Sequence, residues 1–299
     1  MAVVAGLAIA LVGGVGVALG IAGRWSEARQ AVAQARPGWL LGGVALAVVA
    51  MVGLAWPWRR AMALLGAAVD ATSALAWYFV GELGKYVPGG VWTVVGRAEW
   101  ARGGGVGAAA AYAGVALSLA GAYLGAAVVA VALVPVATGA GLPVAVVVAL
   151  PLGLAALHPR ALSIVLALFE RLRRRPVDVE APSWAASAGL VVRYVPAWCA
   201  VGAATWCVAR AFDPAAPFGR VALSAVVAWI VGFVAVPVPG GLGVREAVFV
   251  GTAGLPVAAG AATAVAARLA FMGVDAVGAV LGAAVLRARR RPVAPAEAR

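Results

Sequence analysis

Polar positions in this chain are few and come in clumps, separated by apolar runs too long for a soluble core. The runs 4–22, 39–57, 106–134, 142–158, 184–211 and 256–286 each approach or exceed the length that spans hydrocarbon as a helix, about 20 residues. They predict an all-α polytopic membrane protein. The first run has no basic stretch before it and no convincing cleavage site, so it reads as a transmembrane helix and not as a signal peptide. Two further apolar segments, 71–96 and 221–253, are interrupted by the same phrase: Val87-Pro88-Gly89-Gly90, and Val238-Pro239-Gly240-Gly241. Proline removes a backbone donor and glycine loosens a helix, so each phrase should break its helix. Inside a membrane, a broken helix survives only where protein or a watery cavity satisfies the freed backbone groups.

The two phrases lie 151 residues apart, and the register extends beyond them. Over 71–90 against 222–241, nine of 20 positions are identical, among them Ser73/Ser224, Val80/Val231 and Gly81/Gly232. The flanking runs match as well, 39–57 with 190–208 and 106–134 with 257–285, and Arg59 falls on Arg210. Chance in an Ala/Gly/Val-rich chain is the competing explanation. A repeat predicts a single transmembrane domain over 1–299. Repeat A is about 39–134 and repeat B about 184–286, joined by span 142–158 and a basic cytoplasmic loop, 159–183. Within that loop, 160–175 has the apolar spacing of an interfacial amphipathic helix.

Basic residues set the orientation. Arg160, Arg171, Arg173, Arg174 and Arg175 in the loop, and Arg287, Arg289, Arg290 and Arg291 in the tail, should be cytoplasmic, as should both termini of a cell-membrane protein. Working outward from them, equivalent helices of the two repeats run in opposite directions. Segments 71–96 and 221–253 then become re-entrant hairpins, one from each side. The expected fold is therefore an inverted-repeat helical bundle with two broken re-entrant hairpins. The loop 23–38, external in this scheme despite Arg24, Arg29 and Arg36 against Glu27, is the one dissenting element.

Composition narrows the function classes. The chain is 65% hydrophobic with a net charge of +12, a balance that in a soluble protein would suggest nucleic acid. Here the positive-inside rule accounts for most of it, and the remainder would favour anionic lipid at the cytoplasmic face. Cys199 and Cys207 read as packing residues. With His158 the single histidine, no histidine-based metal site is expected, and no phosphate-loop motif is present. No cofactor, no enzyme activity and no nucleic-acid partner are expected.

Candidate chemistry gathers at the two breaks. After Gly89-Gly90 and Gly240-Gly241 a new half-helix can begin, with unpaired amides and a positive dipole end that suit an anion such as phosphate. Glu82, Lys85 and Arg97 accompany the first break, and Gly243, Arg245 and Glu246 follow the second. Ionisable residues at such depth are expensive and usually functional. The alternative is that Arg245 and Glu246 pair with each other or mark a helix end. Arg268 and Asp275, seven apart on one face of the last run, suit a structural ion pair as well as a substrate role. Trp77, Tyr78 and Trp92 surround the first break. They read as interface anchors first, as do Trp39, Trp56 and Trp58.

The stretch Gly84-Lys85-Tyr86-Val87-Pro88-Gly89-Gly90-Val91-Trp92 with Gly96-Arg97, and Pro239-Gly240-Gly241-Leu242-Gly243-Val244-Arg245-Glu246, resemble two signature segments of one family. It is the flippase-like family named for the transmembrane region of lysylphosphatidylglycerol synthase. The likeness covers nearly the whole chain. It implies translocation of a lipid with an anionic or sugar-bearing head group, an aminoacylated phospholipid or a polyprenyl-phosphate-linked sugar. The chain looks like a stand-alone member, without the soluble aminoacyl-transferase domain, so synthase activity is not inherited. The resulting expectation is a lipid flippase, moving downhill or coupled to protons through Glu82, Glu246 or Asp275. Its head-group site would comprise Glu82, Lys85, Gly89, Gly90, Trp92, Arg97, Gly240, Gly241, Gly243, Arg245, Glu246, Arg268 and Asp275. A secondary transporter of a small soluble anion is the alternative. So is a non-transporting membrane subunit that docks a glycosyltransferase. Beside the lipid, the expected protein partners are a glycosyltransferase or further copies of the chain in an oligomer.

Overall fold

The computed structural model describes residues 33, 35–87, 91–139, 144–173, 179–235 and 241–290. Among these residues there are ten helices and no strand. Proline at its first position starts α1 (Pro37–Leu64), which also carries Pro57 internally. Asp70 caps α2 (Ala71–Glu82) by accepting the Ser73 amide at 3.0 Å. A single 3-10 turn, Leu83–Tyr86, follows, and then α3 (Trp92–Gly103). The long α4 (Ala108–Thr138) stops at Gly139, whose φ of 67° is the left-handed conformation that closes a helix. Two shorter helices come next, α5 (Val144–Ala156) and α6 (Pro159–Arg173). The second half repeats the order long, short, short, long: α7 (Trp184–Phe212), α8 (Phe218–Val234), α9 (Val244–Thr252) and α10 (Val257–Arg290).

Among the described residues four helices are long and apolar enough to cross a membrane: α1, α4, α7 and α10. The expected span 4–22 lies outside the described residues, as do the loop 23–32 and the C-terminal tail beyond Arg290. The expected span 142–158 corresponds to α5, which has 13 described residues and is shorter than those four. The amphipathic segment 160–175 is helical as α6.

The centre of the bundle is the contact between α1 and α7, which run antiparallel. Arg36 N–H donates to the Ala211 carbonyl, the Trp39 and Trp206 rings meet at 5.4 Å, and further along Gly53 faces Ala197. A Cβ on Gly43 would stand 3.2 Å from the Ala204 carbonyl oxygen, so the small residue is what lets the two backbones approach. Ala47, Met51, Trp58 and Met62 of α1 pack with Leu190, Tyr194, Trp198 and Val201 of α7 in the buried core. The placement of Trp58 there corrects its reading as an interface residue: its ring is fully buried, whereas the neighbouring Trp56 is exposed.

Around this pair the short helices dock on the long helix of the opposite half. α2 lies on α10, where a Cβ on Gly282 would come within 2.9 Å of the Ala76 carbonyl oxygen. α8 lies on α4 in the same manner, with Gly219 against Val136 and Phe233 stacked on Tyr123 at 3.8 Å. Small residues at both crossings let these helices approach closely.

Candidate functional site

Each broken segment folds back on itself through glycine contacts. A Cβ on Gly81 would lie 2.7 Å from the Arg97 backbone nitrogen, and one on Gly84 would lie 2.5 Å from the Trp92 carbonyl carbon. α2 and α3 therefore touch backbone to backbone. In the second segment Gly232 meets the Arg245 side chain, and a Cβ on Gly241 would stand 2.8 Å from Gly232 Cα. Gly241 and Gly243 also have φ of 64° and 81°, a region that favours glycine. Pro88, Gly89, Gly90, Pro239 and Gly240 lie outside the described residues.

The two segments meet at a cavity of about 180 Å³. Seven of the expected site residues line it: Glu82, Lys85, Arg97, Gly241, Arg245, Arg268 and Asp275. Glu246 lies immediately behind it, in a small recess shared with Arg245 and Arg268. Gly243 is one turn of chain away and Trp92 is 47% exposed, so neither faces the cavity.

The ionised groups form two networks. In the first, Glu82 pairs with Arg97 across α2 and α3, and also accepts from Lys85 at 3.1 Å. Lys85 reaches on to Asp275 of α10 at 2.7 Å, and the Tyr86 hydroxyl donates to the same carboxylate at 2.6 Å. In the second, Arg268 of α10 pairs with Glu246 at 2.5 Å, while Glu246 accepts the Gly243 amide at 2.6 Å. Arg245 and Glu246 thus do not pair with each other. The Glu246 carboxylate takes the amide of Gly243, the N-cap residue of α9, so this donor at the helix end is already occupied by the chain itself. Arg268 and Asp275 both make the interhelical ion pairs that their spacing allowed.

Arg245 differs from the other three cations. Among the described residues no carboxylate lies within ion-pair distance of it, and its guanidinium sits over the Trp229 ring at 3.8 Å. Arg97 sits over Tyr78 in the same way, at 3.7 Å. Trp229 and Tyr78 are themselves related by the 151-residue register. Stacked cations of this kind are worth more when desolvated. Two further atoms of the site lack a hydrogen-bond partner among the described residues: Oδ1 of the fully buried Asp275, and Nε of Arg97.

Trp229, Tyr123, Tyr86 and Phe271 also line the cavity and were not among the expected residues. Tyr86 stands inside the first motif, and Trp229 holds the position of Tyr78 in the repeat register. Those were the available signals. Trp77 and Tyr78 are buried in the core and are not interface anchors. Among the described residues no three His, Cys, Asp or Glu side chains gather as a metal site, and Lys85 fills the space between Glu82 and Asp275.

The profile of one protein family, described as the lysylphosphatidylglycerol synthase TM region, matches residues 3–282. The chain belongs to this family. Among curated proteins, none matches it. As a member of the lysylphosphatidylglycerol synthase TM-region family it is a membrane protein with a lipid-related function, and the match spans both broken segments and the cavity they enclose.

Proposed function

We propose that this chain is a lipid flippase that carries a phosphate-bearing head group, glycosylated or aminoacylated, through the cavity between its two broken segments. The observation that carries this reading is Arg245, a cavity-lining guanidinium stacked on Trp229 with no carboxylate partner among the described residues. Four cations and three acids surround the site, and this one cation is left to meet an incoming anion. In a cavity away from water such a contact is strong and, with guanidinium, geometrically selective for phosphate oxygens. A space of about 180 Å³ holds a head-group phosphate but not acyl chains, so the tails would stay in the bilayer as the head crosses.

The fold that suits this task is an inverted repeat with two re-entrant hairpins, repeat A at 39–134 and repeat B at 184–286. Three observations support it. The equivalent helices α1 and α7 pack antiparallel, α2 docks on α10 as α8 docks on α4, and the register-related rings Tyr78 and Trp229 each carry a stacked arginine, Arg97 and Arg245, although the two arginines are three residues out of that register. An axis in the membrane plane makes the cavity equally reachable from both leaflets. The setting would be the cell membrane, with both termini cytoplasmic. Lys85, held by both Glu82 and Asp275, can let go of either acid once that acid is protonated while staying paired with the other, which offers a route to proton coupling.

Reconstitution into proteoliposomes separates this from transport of a soluble anion. A head-group-labelled anionic lipid should cross faster with protein than without it, while labelled phosphate should not accumulate. Phosphate uptake with lipid crossing at the protein-free rate would establish the soluble-anion reading instead.

A further inference from the structure

A second basic site lies on the outside of the bundle, away from the central cavity. α1 and α7 border a groove of about 1030 Å³ into which Arg59, Arg60 and Arg193 converge. The antiparallel register explains why they meet. Gly53 faces Ala197, so Arg193, one turn before Ala197, stands level with Pro57, one turn beyond Gly53 and beside Arg59 and Arg60. Among the described residues no acid lines the groove and no carboxylate is within ion-pair distance of the three arginines. Arg59 lies over the exposed Trp56 ring at 5.1 Å. Below them, toward the middle of α1, Val48, Val49 and Val52 leave an exposed apolar strip along the same groove.

A guanidinium at the end of an apolar run reaches the head-group level, where the phosphate of an anionic lipid is the counter-charge at hand. Three together, over an aromatic ring and an apolar strip, match a phosphodiester with an acyl chain beneath it. We infer that the α1–α7 groove binds an anionic glycerophospholipid, its phosphate held by Arg59, Arg60 and Arg193 and its chain laid along the α1 valines. A zwitterionic lipid fits less well, because the groove offers its ammonium no acid. Segment 4–22 fits less well too: it contains no charged residue, and Glu27 is the single acid before Pro37. This inference is independent of what the central cavity does.

The test places a photoactivatable benzoylphenylalanine at Val49, which is 58% exposed, in the full chain reconstituted with equal phosphatidylglycerol and phosphatidylcholine. Cross-linked adducts are read by mass spectrometry. The expected result is several-fold more phosphatidylglycerol than phosphatidylcholine adduct. That preference should be lost in R59Q/R60Q/R193Q and largely kept in R59K/R60K/R193K, which also serves as the folding control. Equal labelling of the two lipids, an unchanged preference in the glutamine variant, or cross-linking to a peptide from residues 1–32 would each overturn the inference.

Discussion

Lys85 is the cation on which the first network turns, because it is held by acids from two different helices, Glu82 and Asp275. Replacing it with methionine leaves Asp275 buried with only the Tyr86 hydroxyl, and an uncompensated buried charge costs about 3–5 kcal/mol. Lys85→Met should therefore lower the melting temperature in detergent sharply, and Lys85→Met with Asp275→Leu should recover most of the loss. A single variant that melts with the wild type would show that the pair bears no load. Asp70, the cap of α2, sits outside the spanning helices. The Ser73 amide and hydroxyl, with Arg289, hold its carboxyl down to about 2. A depressed acid stabilises above its unfolded pKa and ceases to as pH falls through the folded one. Asp70→Ala should cost about 1 kcal/mol as a lost cap. That deficit should be constant above about pH 4 and vanish toward pH 2, as read from paired melts across pH. A deficit unchanged at pH 2 would assign the loss to packing. The charged residues themselves were readable from the sequence, since each stood in an apolar run. Their partners were not: Lys85 with Asp275 and Glu246 with Arg268 depend on helix rotation and docking, which no spacing along one segment determines.

At the scale of elements, the glycines of the broken segments set how closely the half-helices approach. Gly81 and Gly84 put α2 within backbone contact of α3, and a methyl group at either would meet main-chain atoms that have no rotamer to yield. Gly81→Ala should separate the half-helices, cost about 1–3 kcal/mol as overpacking, and slow translocation by displacing Arg97 from Glu82. Gly66→Ala tests a contrasting position, strained by its φ of 81° but with open space around its Cβ, and it should leave translocation unchanged. Equal effects of the two substitutions would mean that general destabilisation is being measured. The Pro-Gly-Gly breaks and the four long helices were legible because hydrophobic length and helix-breaking chemistry are local properties. Trp58 and Tyr78 were misjudged because an aromatic near a charge reads alike at an interface and in a buried core, and Trp229 was missed because no charge stands near it along the chain.

At the scale of the whole molecule, an inverted repeat places the ends of α4 and α10 on opposite faces of the membrane. Cysteines introduced at Ala137 and Arg287 should then label from opposite sides with an impermeant reagent, and labelling from the same side would remove the inversion. The central claim is narrower: one cavity, built by both halves, passes an anionic head group by way of Arg245. Loss of a hydrogen bond to a charged group costs about 1.5–3 kcal/mol, on the order of ten- to hundredfold in rate. The most direct test is head-group translocation in proteoliposomes by wild type, Arg245→Ala and Arg245→Lys, each confirmed to be folded. The alanine variant should fall by that factor and the lysine variant should recover part of it, since it keeps the charge but loses the planar fork. Wild-type translocation by Arg245→Ala would contradict the account and place the head-group path elsewhere.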